Sequence, residues 1–432
     1  MEKLGVKKSG VLAVLLIALF VTSVFSVFSG FSITTNADKP VVIKIGVIAT
    51  DDFLPYLIAL YNGVVQTDIN AYVAKLPADR FNPAVKFEFK VESMGPDLGT
   101  VKLTPTDESY AQVVKFHKEG INLIIGGYVS SWIDTRTLSY LTKNNMVMIS
   151  PTSNDPSLAH VDNLFRLLPD ASYEGTIVAA MFTKLGLTTA IVLYRNDGFG
   201  SAVYNAFVSS LSGSGVNVIP YQFAADNPAS FQSNLALADS KSTGLSKAGV
   251  FLIAVDTDCA GELNRGDFAT PYPNLAVMPW FGTDGTAPGS TVLNGANLGV
   301  LKILSPAPAI PQNTKVDEME QRFAAAMGYS PMDYSGACFI DAGWMLAQAV
   351  IETRPTWTLR TPGASDVIKV LIPDSSRYFG YSGWCQLDKN GDRVGGDWEI
   401  VGYGLDASNN LINLQYGTYN YGTINWIVVP WP

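Results

Sequence analysis

The sequence predicts an α/β protein of two lobes, each a mostly parallel sheet flanked by helices, with a β-rich strip at the C-terminal end. Three observations predict it. The chain has 432 residues, more than one hydrophobic core ordinarily organises. Short β-branched runs alternate with amphipathic stretches, the pattern that builds parallel sheets covered by helices. From Tyr378 onward the composition turns to Tyr, Gly, Asn and Trp, with hairpin signals at Asn390-Gly391 and Asn409-Asn410.

The elements follow in order. Val41–Ile48 is nearly continuous in β-branched residues and reads as a buried parallel strand. A helical stretch follows at about Pro55–Lys75, then a strand at Phe87–Val91. Thr106–Glu119 reads as a helix with Val113, Val114 and Phe116 on one side. Asn122–Ile125 is a strand ending in Gly126-Gly127, and a helix from about Trp132 to Lys143 leads to the strand Met146–Ile149. The pattern then restarts. Helices are expected at Tyr173–Leu185, Gly200–Leu211 and most of Ser230–Lys247. Strands are expected at Ala190–Tyr194, Val216–Ile219, Val250–Ala254, Asn274–Pro279 and Val300–Leu304. Val316–Met327 is helical, and Phe339–Ile351 is apolar almost all round, as a helix buried on several sides would be.

Composition narrows the function. The net charge is −9, which argues against nucleic acid, since phosphate binding needs basic clusters. Only His117, His160, Cys259, Cys338 and Cys385 are available to a soft metal, and no CxxC pair occurs. No cofactor motif is present: the chain lacks a phosphate loop, a dinucleotide turn, a nucleophile elbow and an HExxH pair. Asp388-x-Asn390-Gly391-Asp392 has its glycine too early for an EF-hand and reads as a hairpin turn. With two histidines and no elbow, an enzyme is not expected.

The first forty residues read as an address. Lys3, Lys7 and Lys8 precede 29 uncharged residues, Ser9 to Ala37. The apolar part, Gly10 to about Ile33, spans ~36 Å as a helix, enough to cross a bilayer. A retained membrane anchor and a cleaved secretory signal both fit. Lys7-Lys8-Ser9-Gly10 also resembles a pilin-type leader. Either way the body is expected outside the cytoplasm, at the cell surface or secreted, where two of the three cysteines can pair.

Four polar, glycine-containing loops follow predicted strands, at the sheet edge where open α/β sheets bind ligands. Gly126-Gly127-Tyr128-Val129-Ser130-Ser131 places Ser130 and Ser131 at a helix start, a geometry that serves a carboxylate or a plain N-cap alike. Ser150-Pro151-Thr152-Ser153-Asn154 offers hydroxyls and backbone donors, or a Pro-led turn. Asn196-Asp197-Gly198-Phe199-Gly200 sets Phe199 at a loop tip, as a ligand wall or packed on the neighbouring loop. Phe281-Gly282-Thr283-Asp284-Gly285 holds Asp284, able to pair with an ammonium group or to close an Asx turn.

At these loops the sequence resembles the type 1 periplasmic binding proteins, specifically the leucine/isoleucine/valine-type solute receptors of ABC importers. The resemblance runs from about Val41 to the C-terminus. It rests on the stretch from Ile121 through Ile149-Ser150-Pro151-Thr152-Ser153-Asn154, on Asp197-Gly198-Phe199-Gly200, on Ile340-Asp341-Ala342-Gly343-Trp344-Met345-Leu346-Ala347 and on Leu387-Asp388-Lys389-Asn390-Gly391-Asp392. It implies two lobes joined by three crossovers and closing on a ligand, with lobe one at 41–168 plus 307–376 and lobe two at 169–306 plus 377–432. It also implies that Ser130, Ser131, Thr152, Ser153 and Asn154 receive a ligand α-carboxylate. Asp284 would take the α-ammonium and Phe199 the aromatic wall. Asn154 departs from the Thr or Ser usual in the family. Asp256 to Asp258, Met94-Gly95-Pro96 and Asp51-Asp52 are weaker contacts on the same basis.

The function this implies is an extracytoplasmic solute-binding protein that delivers a small polar ligand, an amino acid or related amide, to ABC permease membrane subunits. A sensory receptor ectodomain and a cell-surface structural protein are the alternatives on the same fold.

Overall fold

A computed structural model of the chain describes residues 41–51, 53–76, 85–94, 103–287, 303–312, 314–328, 334–353, 363–405, 411–420 and 422–428. The expected N-terminal signal or anchor, Asp52, Gly95-Pro96 and the turn Asn409-Asn410 lie outside the described residues. The chain separates into two compact units, Ile43–Lys75 with Phe87–Pro432, and Met1–Val42 with Leu76–Lys86. Of the smaller unit, the described residues are Val41, Val42, Leu76, Val85 and Lys86. Everything that follows belongs to the larger one.

The predicted α/β class is what the structure shows. The first sheet has the order β2-β1-β3-β4-β5, from β1 (Val41–Ala49), β2 (Val85–Ser93), β3 (Leu123–Ile125), β4 (Val147–Ser150) and β5 (Leu164–Arg166). β1, β3, β4 and β5 run parallel, with Ile45 beside Leu123 and Leu123 beside Val147. The helical run α1 (Leu54–Ile58 and Gln66–Val73, with a π-helical middle at Ala59–Val65) follows β1. α2 (Pro105–Lys118) starts where Thr104 accepts the Asp107 N–H and proline supplies a ready-made first turn. α3 (Thr135–Lys143) is capped by Asp134 in the same way.

The second sheet, of eight strands, has the order β15-β14-β13-β10-β9-β8-β6-β7. Its parallel half is β6 (Thr189–Arg195), β7 (Asn217–Phe223), β8 (Ala248–Ile253), β9 (Trp280–Phe281) and β10 (Ile303–Pro308). Its antiparallel half is the expected C-terminal strip: β13 (Trp398–Leu405), β14 (Leu411–Asn420) and β15 (Thr423–Trp426). α4 (Ser172–Lys184) and α5 (Gly198–Ser210) lie together. Their closeness rests on Gly175, where even a methyl group would meet the Val203 carbonyl at 2.2 Å. α6 (Pro228–Lys241) and α7 (Asp256–Leu263) complete this part.

Three helices then return to the first sheet. α8 (Thr314–Met327) and α9 (Tyr334–Glu352) pack on α1, α9 also on β3, and α10 (Ala364–Ser375) packs on α9 and β4. α9 is buried along nearly its whole length, as its all-apolar circumference requires. The short hairpin β11 (Phe379–Gly380) and β12 (Gly383–Trp384) is tied back to α9 by Asp341.

Several expectations change. Asn274–Pro279 is a turn and not a strand: Asn274 is held by the Asp239 carboxylate through its N–H at 2.9 Å and its side-chain amide at 3.0 Å. The strand starts at Trp280 instead. α6 stops at Lys241, short of Lys247. No disulfide joins the cysteines; Cys259, Cys338 and Cys385 are all free and buried. The turn at Asn390-Gly391 forms as expected, with the Asp388 carboxylate accepting the Asn390 and Asp392 N–H groups and Gly391 at φ +87°.

Candidate functional site

The loops leaving β3, β4 and β9 meet at the carboxyl edges of the two sheets. Gly127 turns the first of them at φ +70°, and a side chain there would strike Ile133. A short 3₁₀ turn, Ser130–Trp132, follows. The Ser130 hydroxyl oxygen accepts from the N–H groups of Asn154 and Asp155, each at 3.2 Å, and from the Ser153 hydroxyl at 3.1 Å. It therefore pins the β4 loop to the β3 loop, and its own proton remains to be given elsewhere.

Ser150, fully buried, donates to the Gly127 carbonyl at 2.7 Å and accepts the Ser153 N–H. Thr152 donates to the Tyr128 carbonyl at 2.6 Å. Ser153 is fully buried. These two hydroxyls brace the loop pair, which sequence alone did not separate from a ligand role. Ser131 is exposed, and its carbonyl accepts from Thr106.

From the second sheet, Asp284 opens a 3₁₀ turn after β9. The Asn154 amide reaches its Oδ2 at 3.4 Å, a weak bond but one that joins the loops of the two sheets. The Asp155 carboxylate lies against Gly198, where an added methyl would come within 2.8 Å of it. Ser130, Thr152, Ser153, Asn154 and Asp284 are thus brought together.

Phe199 is not at a loop tip. Asp197 caps α5 by accepting the Gly200 N–H at 2.8 Å, so Gly198–Gly200 is the helix's first turn and Phe199 packs half-buried on the second sheet's core. Asp258 does not face the loops either. It is buried, ion-paired to Arg195 at 2.9 Å and bonded to the Asp226 N–H at 2.7 Å. Met94 is buried beside the β3 loop, and Asp51 accepts from Ser93. The side chain of Asp256 lies outside the described residues.

Two features were missed from sequence. The first is Glu174, in the first turn of α4 and fully buried. Its Oε2 accepts the Asp284 N–H at 2.7 Å. Burial, and then the neighbouring Asp284 carboxylate, push the Glu174 carboxyl well above the usual range. Burial also raises Asp284, against the hydrogen bond it receives from Glu174. An acid in a helix's first turn looks like an ordinary dipole partner, so nothing in the sequence marked it. The second is an aromatic group beside the β3 loop. Phe53 and Tyr128 have ring centroids 5.4 Å apart, Tyr128 stacks on Phe339 at 6.1 Å, and Tyr128 meets Trp132 at 6.1 Å. With Thr50 and Met94 they line a small hollow, ≈ 10 Å³. These residues come from positions 50 to 339, and only folding gathers them.

Known proteins agree with this architecture. A leucine-binding protein of Thermotoga maritima superposes with a TM-score of 0.62 at 15% identity, covering 88% of this chain and 99% of that one. A solute-binding protein of an ABC transporter from R. palustris, solved with benzoate, gives 0.59 at 14% identity, covering 87% and 96%. At these identities the likeness is one of fold. An uncharacterised protein of Methanocaldococcus jannaschii is 26% identical over 336 residues, 73% of this chain and 77% of that protein. The model of the receptor family ligand binding region matches residues 73–406, and the chain belongs to that family, with the two-lobed fold of the type 1 periplasmic binding proteins.

Proposed function

We propose that this protein is the extracytoplasmic solute-binding component of an ABC importer, and that it binds a small amino acid or related amide between its two sheets. The observation that carries the reading is the meeting of the Ser130–Asn154 loop pair with Asp284. A zwitterion needs donors on one side and a carboxylate on the other. Ser130, Ser131 and backbone N–H groups lie on the first sheet's side, and Asp284 on the second's. A ligand bonded to both favours closure, because only the closed form offers both contacts. The rings of Tyr128, Trp132 and Phe53 beside the donor loops suit a ligand with an apolar or aromatic side chain.

The lobes are proposed to divide near 168, 306 and 376. The stretch Tyr378–Arg393 is hydrogen-bonded to α9 and β5 and is assigned here with the first lobe. The N-terminal segment is proposed to export or anchor the chain. No catalytic role is proposed: the relatives are binding proteins, and the polar groups at the loops are hydroxyls, an amide and carboxylates without a histidine.

The test is a thermal-shift screen of the purified protein against amino acids, amides, urea and short peptides. Ligand at a hundred times its dissociation constant adds ~2.7 kcal/mol of stability. A shift with one amino-acid class, lost in Asp284→Ala, is the expected result. A shift that survives Asp284→Ala moves the ligand away from amines. The absence of any shift turns the reading toward a receptor ectodomain or structural protein, the other roles open to this fold.

A further inference from the structure

The amine side of the site holds two carboxyl groups, and only one is visible from outside. Glu174 is fully buried, while Asp284 is partly exposed. Glu174 Oε2 is taken by the Asp284 N–H, and Oε1 is buried and has no hydrogen-bond partner among the described residues. A charged carboxylate oxygen left so is costly, whereas the acid form has a proton to give and an acceptor beside it in the Asp284 carboxylate. The charged groups acting on Glu174 are Asp284, from the loop after β9, and Asp170, from the turn before α4, and both are acidic. Neither balances a second negative charge.

We propose, resting on the solute-binding reading above, that Glu174 is a positioning and specificity residue. In the empty protein its carboxyl proton bonds Asp284 in place of the ligand's ammonium, and it is released to solvent when a ligand amine arrives. The balance is one for one. An ammonium enters, one proton leaves, and the carboxyl pair passes from a shared charge of −1 to −2 against the ligand's +1. The site then selects primary amines over isosteric ligands that lack the cation, because only a cation compensates the second carboxylate. The sign follows: binding favours the deprotonated Glu174, so affinity rises with pH up to the empty protein's Glu174 value and is flat above it.

The experiment is infrared difference spectroscopy on the whole protein with three probes: methylammonium, L-leucine, and 4-methylpentanoate, which is leucine without its amine. The wild type at neutral pH should show the carbonyl stretch of a protonated carboxyl that is missing in Glu174→Gln. L-leucine or methylammonium should abolish that band and 4-methylpentanoate should not. Glu174→Gln reproduces the acid's donor and acceptor, so it should fold and bind amines with affinity independent of pH. The wild type should gain up to tenfold per pH unit over the rising limb. Absence of the band in the empty wild type overturns the inference whatever the ligand. A band that no amine removes overturns it too. If 4-methylpentanoate stabilises the protein while amines leave the band untouched, solute binding stands and amine exchange falls.

Discussion

Ser130 shows how one side chain serves both the fold and the site. Its oxygen accepts three hydrogen bonds that join two loops. Ser130→Ala leaves two backbone N–H groups without their partner and should cost about 1–3 kcal/mol in urea unfolding, with ligand binding lost alongside. Glu92 offers a second test at this scale. Against the cost of burial, bonds from Lys115, Lys90 and Gln112 hold its carboxyl down at about 2. A depressed carboxyl contributes stability that is present above its unfolded value and lost as pH falls toward the folded one. Acid unfolding followed by circular dichroism should therefore be shallower between about pH 4 and 2 in Glu92→Gln than in the wild type. Ser130 was legible in the sequence as a polar residue at a strand's carboxyl end. Its use as an acceptor hub was not, because that depends on where the β4 loop lands.

At the scale of elements, α9 carries the largest internal polar commitment. Its Asp341 is fully buried and accepts from the Tyr381 N–H and the Ser382 N–H, each at 2.8 Å, from the Ser382 hydroxyl at 2.6 Å and from the Tyr378 hydroxyl at 3.1 Å. A helix apolar all round thus holds one carboxylate whose purpose is to fasten the hairpin β11–β12. Asp341→Ala should destabilise the protein by about 3–5 kcal/mol in denaturant titration, since it strands several buried donors at once. The helix itself was legible, because an apolar run of this length has few other solutions. The strands β6 and β8 were equally legible. β9 was not: it has only two residues, and the turn ahead of it is set by Asp239, 35 residues away from Asn274.

The whole molecule is bound together across long sequence distances. Arg166, at the end of β5, is fully buried and bonds Asp392 at 2.6 Å and the Asp155 carbonyl at 2.6 Å. Arg393 donates to the Leu167 carbonyl at 3.0 Å and the Ser382 hydroxyl at 2.8 Å. The three thiols report on this assembly. Burial pushes the Cys338 thiol up to about 12 and raises Cys385 as well, so neither supplies thiolate at neutral pH. Cys259 sits in the core of the second sheet. A thiol reagent should label none of the three in the native protein and all three on unfolding, with ligand slowing the labelling. Labelling of one cysteine ahead of the others would mean that the two sheets open separately.

The sequence by itself determined the strand and helix order, the doubled α/β pattern, the antiparallel finish and the loops from which the site is built. These depend on periodicity, on caps such as Asp134 and Asp197 and on turn residues such as Gly391, all of which act over a few positions. Tertiary structure alone decided that Phe199 packs inward, that Thr152 and Ser153 brace loops, that Asp258 serves Arg195, and that Glu174 lies behind Asp284. Each of those depends on a partner from another segment, 63 residues away for the Arg195–Asp258 pair and 110 for Glu174 with Asp284. Hydroxyls and carboxylates accept whatever donor the fold brings to them, so their roles are settled by packing and not by their neighbours in the chain.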